Sequence, residues 1–89
     1  MPKTIQIHVA GKVQGVYYRA SAQQTALRLH VDGWVRNLAD GSVQIVAHAE
    51  EAVLENFIAW CQEGPSYAQV KTVEVQEISI SVEPGFFIR

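Results

Sequence analysis

Hydrophobic residues in this chain switch repeatedly between strand-like and helical spacing, and that order of periods leaves few folds open. Residues 4–10 alternate apolar and polar side chains, with Ile5, Ile7 and Val9 on one parity, as a strand with one buried face does. From Arg19 or Ala20 to Leu29 the spacing turns helical, and Tyr18, Ala22, Ala26 and Leu29 fall on one side. His30 stands where helices often end in glycine, so a left-handed backbone angle is expected there. Residues 31–38 and 42–48 return to strand spacing through Ala39, Asp40 and Gly41, and Asp-Gly between apolar runs is a strong hairpin signal. Val43, Ile45 and Ala47 share one face of the later strand while Val46 takes the other, which predicts a central strand or cover on both faces. Residues 50–62 form the clearest helix: Val53, Leu54, Phe57, Ile58 and Cys61 make one stripe. Glu50 and Glu51 complement its dipole, Trp60 lies at the stripe's edge, and Gly64-Pro65 ends it. Residues 70–82 alternate again, but Val73 and Val75 share one parity and Ile78, Ile80 and Val82 the other. That slip predicts a bulge or break near Gln76 and Glu77. Pro84-Gly85 then turns the chain into a short last strand, residues 86–89.

Strand, helix, strand, strand, helix, strand, plus a short terminal strand, is the order of an α+β fold. Two helices at those places must cover one face of a mostly antiparallel sheet, the ferredoxin-like split βαβ sandwich (βαββαβ). No linker, repeat or low-complexity segment interrupts residues 1–89, which read as a single domain. A hydrophobic fraction of 48% and a charged fraction of 18% suit a packed core and argue against disorder. Cys61 stands alone, so no internal disulfide forms and a reducing compartment fits. No apolar run reaches the length of a membrane span, and Met1-Pro2-Lys3-Thr4 is not a signal sequence. The expectation is a cytoplasmic protein without a membrane partner, and a monomer.

The chemistry concentrates between the first strand and first helix, at Gly11-Lys12-Val13-Gln14-Gly15-Val16-Tyr17-Tyr18-Arg19. The first amides of a helix lack internal partners and carry partial positive charge. Gly11 and Gly15 allow backbone angles that aim successive amides into one concavity. Arg19 adds a planar fork of donors suited to phosphate oxygens. Residues 13–19 are therefore a candidate cradle for a phosphoryl group. The stretch is not a Walker A loop, because no Gly-Lys-Ser/Thr closes it, and most two-glycine junctions only turn the chain.

Charge points the same way. Through Asn37 five basic residues face Asp32 alone, a net +4; from Leu38 onward Lys71 and Arg89 face Asp40 and seven glutamates, a net −6. A basic N-terminal half suits a local anionic ligand, whereas a nucleic-acid binder would carry a basic stripe across the whole domain.

A second stretch runs Gly33-Trp34-Val35-Arg36-Asn37 and resumes at Asp40-Gly41-Ser42-Val43. In the split βαβ topology the end of this strand can lie near the first loop, bringing Asn37 toward Arg19. Together these residues resemble the acylphosphatase family. Its first signature, Gly-x-Val-Gln-Gly-Val-x-aromatic-Arg, is matched at residues 11–19, and its second, Gly-aromatic-Val-basic-Asn followed by Gly-x-Val, at residues 33–43. Gly64-Pro65, Ala68, Val70 and Phe87-Ile88-Arg89 also resemble the family. Ala49 stands where the pattern calls for glycine, a departure expected to affect the turn before the second helix.

The resemblance implies hydrolysis of carboxyl-phosphate mixed anhydrides with no metal or organic cofactor. Its substrate would be a small acyl phosphate, and inorganic phosphate or other anions would also bind the loop. Arg19 and the loop amides, within residues Gln14, Gly15, Val16, Tyr17, Tyr18 and Arg19, would hold the phosphoryl group. Asn37 would hold the attacking water.

Other readings of the same residues are structural. Tyr18 fits a core ring, Tyr17 a substrate contact or a surface ring, and Asn37 an ordinary turn asparagine. Arg36 neighbours Asn37 but points to the opposite face of its strand. His8, His30 and His48 show no metal-ligand spacing. RNA-recognition modules share the strand-helix order, but residues 42–48 hold no aromatic ring to stack on a base. Metal carriers of this topology need paired thiolates, and Cys61 is single. A catalytically silent family member is the remaining alternative, and turnover of benzoyl phosphate separates it from an enzyme.

Overall fold

The computed structural model describes residues 1–89, which form a five-stranded sheet and two helices. The elements are β1 (Pro2–Lys12), α1 (Tyr18–Leu29), β2 (Asp32–Asn37), β3 (Val43–Glu50), α2 (Glu51–Glu63), β4 (Gln69–Ile78) and β5 (Phe86–Ile88). The sheet order is β4-β1-β3-β2-β5. Its β1–β3, β1–β4 and β2–β3 pairings are antiparallel, and β5 joins β2 in parallel. This is the ferredoxin-like α+β sandwich expected from the order of periods, with the extra C-terminal strand added to an edge.

Parity decides which side chains meet the helices. In register Ile5, Ile7 and Val9 lie opposite Ala47, Ile45 and Val43, and Val35 lies opposite Ile45 on the next strand. All seven are buried in one cluster with Tyr18, Ala22 and Ala26 of α1 and Leu54, Phe57 and Cys61 of α2. Removing a large side chain such as Phe57 from such a core costs about 3–5 kcal/mol. Val46 points to the other face and is also buried, as a strand in the middle of the sheet allows. Trp60, half-buried, stacks at 6.3 Å on Phe57 and at 5.2 Å against Tyr18.

The ends of α1 follow local backbone chemistry. His30 takes φ 61° and ψ 43°, so that its amide donates to the Leu27 carbonyl and the Val31 amide to the Ala26 carbonyl. The expected left-handed stop is therefore present. At α2 the strand β3 runs straight into the helix, with Glu50 as its N-cap and Glu51 in the first turn.

Two expectations are corrected. The register of β4 on β1 is continuous from Thr72 to Ile78, with no bulge at Gln76 or Glu77. The irregularity lies between Ala10 and Gly11, where Lys71 is the unpaired residue. The change of parity after Val75 marks the approaching end of the strand at Ile78, beyond which Ile80 and Val82 belong to a crossover. That segment carries the chain from the β4 edge to the β5 edge; the Thr4 hydroxyl donates to the Ile80 carbonyl and the Gly85 amide to Asp32 Oδ1. Ala49 is not in a turn. It lies in β3 opposite Lys3, 8% exposed and within the core cluster, so its methyl adds apolar contact. No helix is long and apolar enough to cross a membrane.

Candidate active site

The loop from β1 to α1 carries an unusual run of backbone angles. Gly15 has φ 73° and Tyr17 φ 64°, and Val16 between them has no positive φ. The sign of φ thus alternates along Gly15, Val16 and Tyr17, a feature shared with the backbone concavities that bind anions. Val13 and Val16 are buried, at 1% and 6% exposure, and anchor the loop on the core from below. A Cβ at Gly15 would meet nothing within 4 Å, so glycine is required there for its angle and not for space.

Tyr17 is also the N-cap of α1. It offers no side-chain cap, and the first turn contains no acidic residue. The free amides and positive end of α1 are thus left for an external anion. Arg19 leaves that first turn, and Gly15, Tyr17, Arg19 and Ala20 line one cleft of about 370 Å³.

Asn37 lines the same cleft from the last residue of β2. It shares the parity of buried Val35, which turns its side chain to the helix side. Its Oδ1 is buried and accepts no hydrogen bond from the protein. A buried amide oxygen without a partner is costly, and it is free here to accept from a water or a substrate group. Arg36 points to the opposite face, where Nε donates to Gln44 Oε1 at 2.8 Å and the guanidinium lies over Trp34.

Of the residues singled out in the sequence, Gly15, Tyr17, Tyr18, Arg19 and Asn37 meet at this cleft. The side chains of Gln14 and Val16 serve it indirectly. Gln14 Nε2 donates to the carbonyls of Leu38 at 2.8 Å and Ser42 at 2.9 Å, tying the loop to the β2–β3 hairpin. Tyr18 is 1% exposed, with its hydroxyl donating to the Cys61 carbonyl at 2.8 Å, so its ring is core and only its backbone reaches the site. Burial pushes the Tyr18 phenol well above its ordinary range. Asp40 lies in the hairpin turn, where its Oδ1 accepts from the Ser42 hydroxyl and amide. Those bonds hold its carboxyl below the usual carboxylate range. His8 and His48 bond to the Ser42 and Thr4 hydroxyls, each at 2.8 Å.

Two features of the cleft escaped sequence reasoning. The left-handed angle of Tyr17 had no signal, because non-glycine residues rarely adopt it. Ile88 enters the cleft from β5, a placement set by the parallel pairing of Ile88 with Val35. A larger depression of about 560 Å³ lies elsewhere, between Gln6, His8, Gln44 and Glu74. It contains neither loop amides nor an arginine.

Comparison with known proteins places these residues in context. A family model described as acylphosphatase matches residues 5–88. An acylphosphatase from Marinobacter nauticus is 53% identical over 75 residues, covering 84% of this chain and 82% of that relative. The solved structure of an acylphosphatase from Coxiella burnetii matches with a TM-score of 0.94 at 38% identity, over 99% of this chain and 93% of the other. An acylphosphatase crystal structure from Bacillus subtilis gives the same TM-score at 33% identity, over 100% of this chain and 99% of the other.

Proposed function

The chain belongs to the acylphosphatase family and hydrolyses acyl phosphates; we propose that it does so with Arg19 and the amides of residues 15–18 holding the phosphoryl group and Asn37 holding the water. The reaction gives the assignment its logic. Water attacks phosphorus, the bond from phosphorus to the bridging oxygen breaks, and the carboxylate leaves with that electron pair. A proton of the water stays on the phosphate and the other is released or shared among its oxygens. A carboxylate is a weak base, so its departure needs little help from a general acid.

What the reaction needs is alignment and charge compensation. The Arg19 guanidinium stays protonated and follows the phosphoryl oxygens as charge shifts onto them. Asn37 is no base at neutral pH; its free Oδ1 accepts from the water and fixes its approach. The positive end of α1 adds to the compensation, and the reading requires no metal.

The observation that supports this reading best is the meeting of Arg19 and Asn37, from α1 and the end of β2, in a cleft floored by the alternating loop. We further read residues 1–89 as one domain acting as a monomer in the cytoplasm, on small acyl phosphates and with inorganic phosphate as a competing anion. The buried single thiol fits that compartment.

Hydrolysis of benzoyl phosphate by wild type, Arg19→Ala and Asn37→Ala, each with and without a chelator, tests the assignment. Loss of one oriented charge-stabilising donor typically lowers the rate about a hundred- to a thousandfold, and at least the lower figure is expected for each variant while it remains folded. An Arg19→Ala enzyme that keeps most of its turnover refutes the cradle. Sensitivity to the chelator refutes the metal-free mechanism.

A further inference from the structure

Tyr17 and Ile88 are apolar side chains that remain exposed within the catalytic cleft, 77% and 42% respectively. Neither belongs to the core cluster. Tyr17 in addition holds a left-handed backbone angle, which costs a non-glycine residue about 1–2 kcal/mol. The angle explains the backbone: it turns an amide toward the phosphoryl site. It does not explain the ring, since asparagine or glycine takes this conformation more readily. A cleft of about 370 Å³ falls in the range of sites for whole small molecules. A phosphoryl group of four heavy atoms leaves much of it for the rest of the substrate.

Resting on the cradle reading above, we propose that the Tyr17 ring is the specificity-determining contact for the acyl half of the substrate, and that it selects planar aromatic acyl groups. The phosphoryl group sits against the amides of the loop that carries Tyr17. The bridging oxygen then brings the acyl carbon out beside the ring exposed at the rim. An aromatic acyl group stacks there, whereas an acetyl group is too small to cover the ring. Ile88 stands on the strand next to that of Asn37, with its pairing partner Val35 two residues before Asn37. In an in-line attack the leaving carboxylate lies opposite the water, and the proposal assigns the water side to Asn37 and Ile88 and the acyl side to Tyr17.

The test is the ratio of kcat/KM for benzoyl phosphate to that for acetyl phosphate, in wild type, Tyr17→Asn, Tyr17→Phe, Ile88→Ala and Arg19→Ala. Asparagine tolerates the left-handed angle, so Tyr17→Asn removes the ring with little change of backbone. The ratio is expected to fall about three- to tenfold in Tyr17→Asn, the scale of one aromatic stacking contact, and to stay at the wild-type value in Tyr17→Phe. Ile88→Ala is expected to act on both substrates alike. An unchanged ratio in Tyr17→Asn, or an equal fall in Ile88→Ala, overturns the assignment of acyl selection to Tyr17. Turnover of both substrates by Arg19→Ala at the wild-type level overturns the cradle itself, and this inference with it.

Discussion

Gln14 Nε2 donates to the carbonyl of Ser42 at 2.9 Å, and the same nitrogen reaches the carbonyl of Leu38 at 2.8 Å. These carbonyls flank the turn of the hairpin whose first arm ends at Asn37. One side chain thus fixes the loop before Arg19 against the strand that carries Asn37. Gln14→Leu keeps the bulk and removes both bonds, each contributing about 1 kcal/mol. Stability is expected to fall by roughly 1–3 kcal/mol in urea unfolding. Turnover should fall further, about tenfold, because water and phosphoryl group lose their shared frame. Loss of stability with unchanged kcat would show that the tie is only structural.

Gly33 and Gly15 make opposite demands on a methyl group. At Gly33 a Cβ would lie 1.8 Å from the Val46 carbonyl oxygen, backbone of the neighbouring strand that cannot move aside. Gly33→Ala is expected to yield no folded protein, read as the absence of a cooperative thermal transition. Gly15→Ala meets no atom and bears only the angle, about 1–2 kcal/mol. It should fold and bind inorganic phosphate more weakly, read from product inhibition. A folded Gly33→Ala, or a Gly15→Ala with wild-type phosphate inhibition, contradicts these roles.

Side-chain period was enough to read α1, α2 and the hairpin, because each buries one face and the apolar spacing records it. Val46 on the opposite parity left a central strand or cover on both faces open, and the sheet order makes β3 an inner strand with Val46 buried. The slip near Gln76 was misleading for a related reason. β4 is an edge strand, and Val75, although opposite buried Ile7, is itself 44% exposed. Parity at an edge is weakly enforced, so a change in it does not locate a bulge. The site divided the same way. The Arg19 and Asn37 motifs are local strings and were legible by resemblance. The strain at Tyr17 and the arrival of Ile88 arise from backbone geometry and from pairing between distant segments, which no local pattern encodes.

Asp40 ties acid stability to the hairpin. The Ser42 hydroxyl and amide hold its carboxyl below the ordinary value, so the charged form is favoured in the folded state. The contribution is therefore present above the unfolded carboxylate range, around pH 4, and is lost as pH falls through the lower folded value. Asparagine keeps an acceptor but not the charge. The Tm advantage of wild type over Asp40→Asn should be steady from about pH 7 to 5 and shrink below about 4. An advantage as large at pH 3 as at pH 7 removes Asp40 ionisation from the account.

Cys61 tests whether the core behind the loop is as closed as the packing implies. The residue is fully buried on the core-facing side of α2, and burial pushes its thiol up to about 12. The thiolate is the reactive form, so at pH 8 burial and the raised value together suppress labelling. Reaction with a disulfide reagent is then expected only through opening of the protein, at least about a thousandfold slower than in urea. The rate should rise with denaturant in parallel with global unfolding. The carbonyl of Cys61 accepts the Tyr18 hydroxyl, and Tyr18 immediately precedes Arg19 on α1. Labelling at a rate independent of denaturant would mean that α2 parts locally from α1 in the native state. The backbone of the proposed phosphate cradle would then rest on a mobile support, and Tyr18→Phe should speed labelling and lower kcat together.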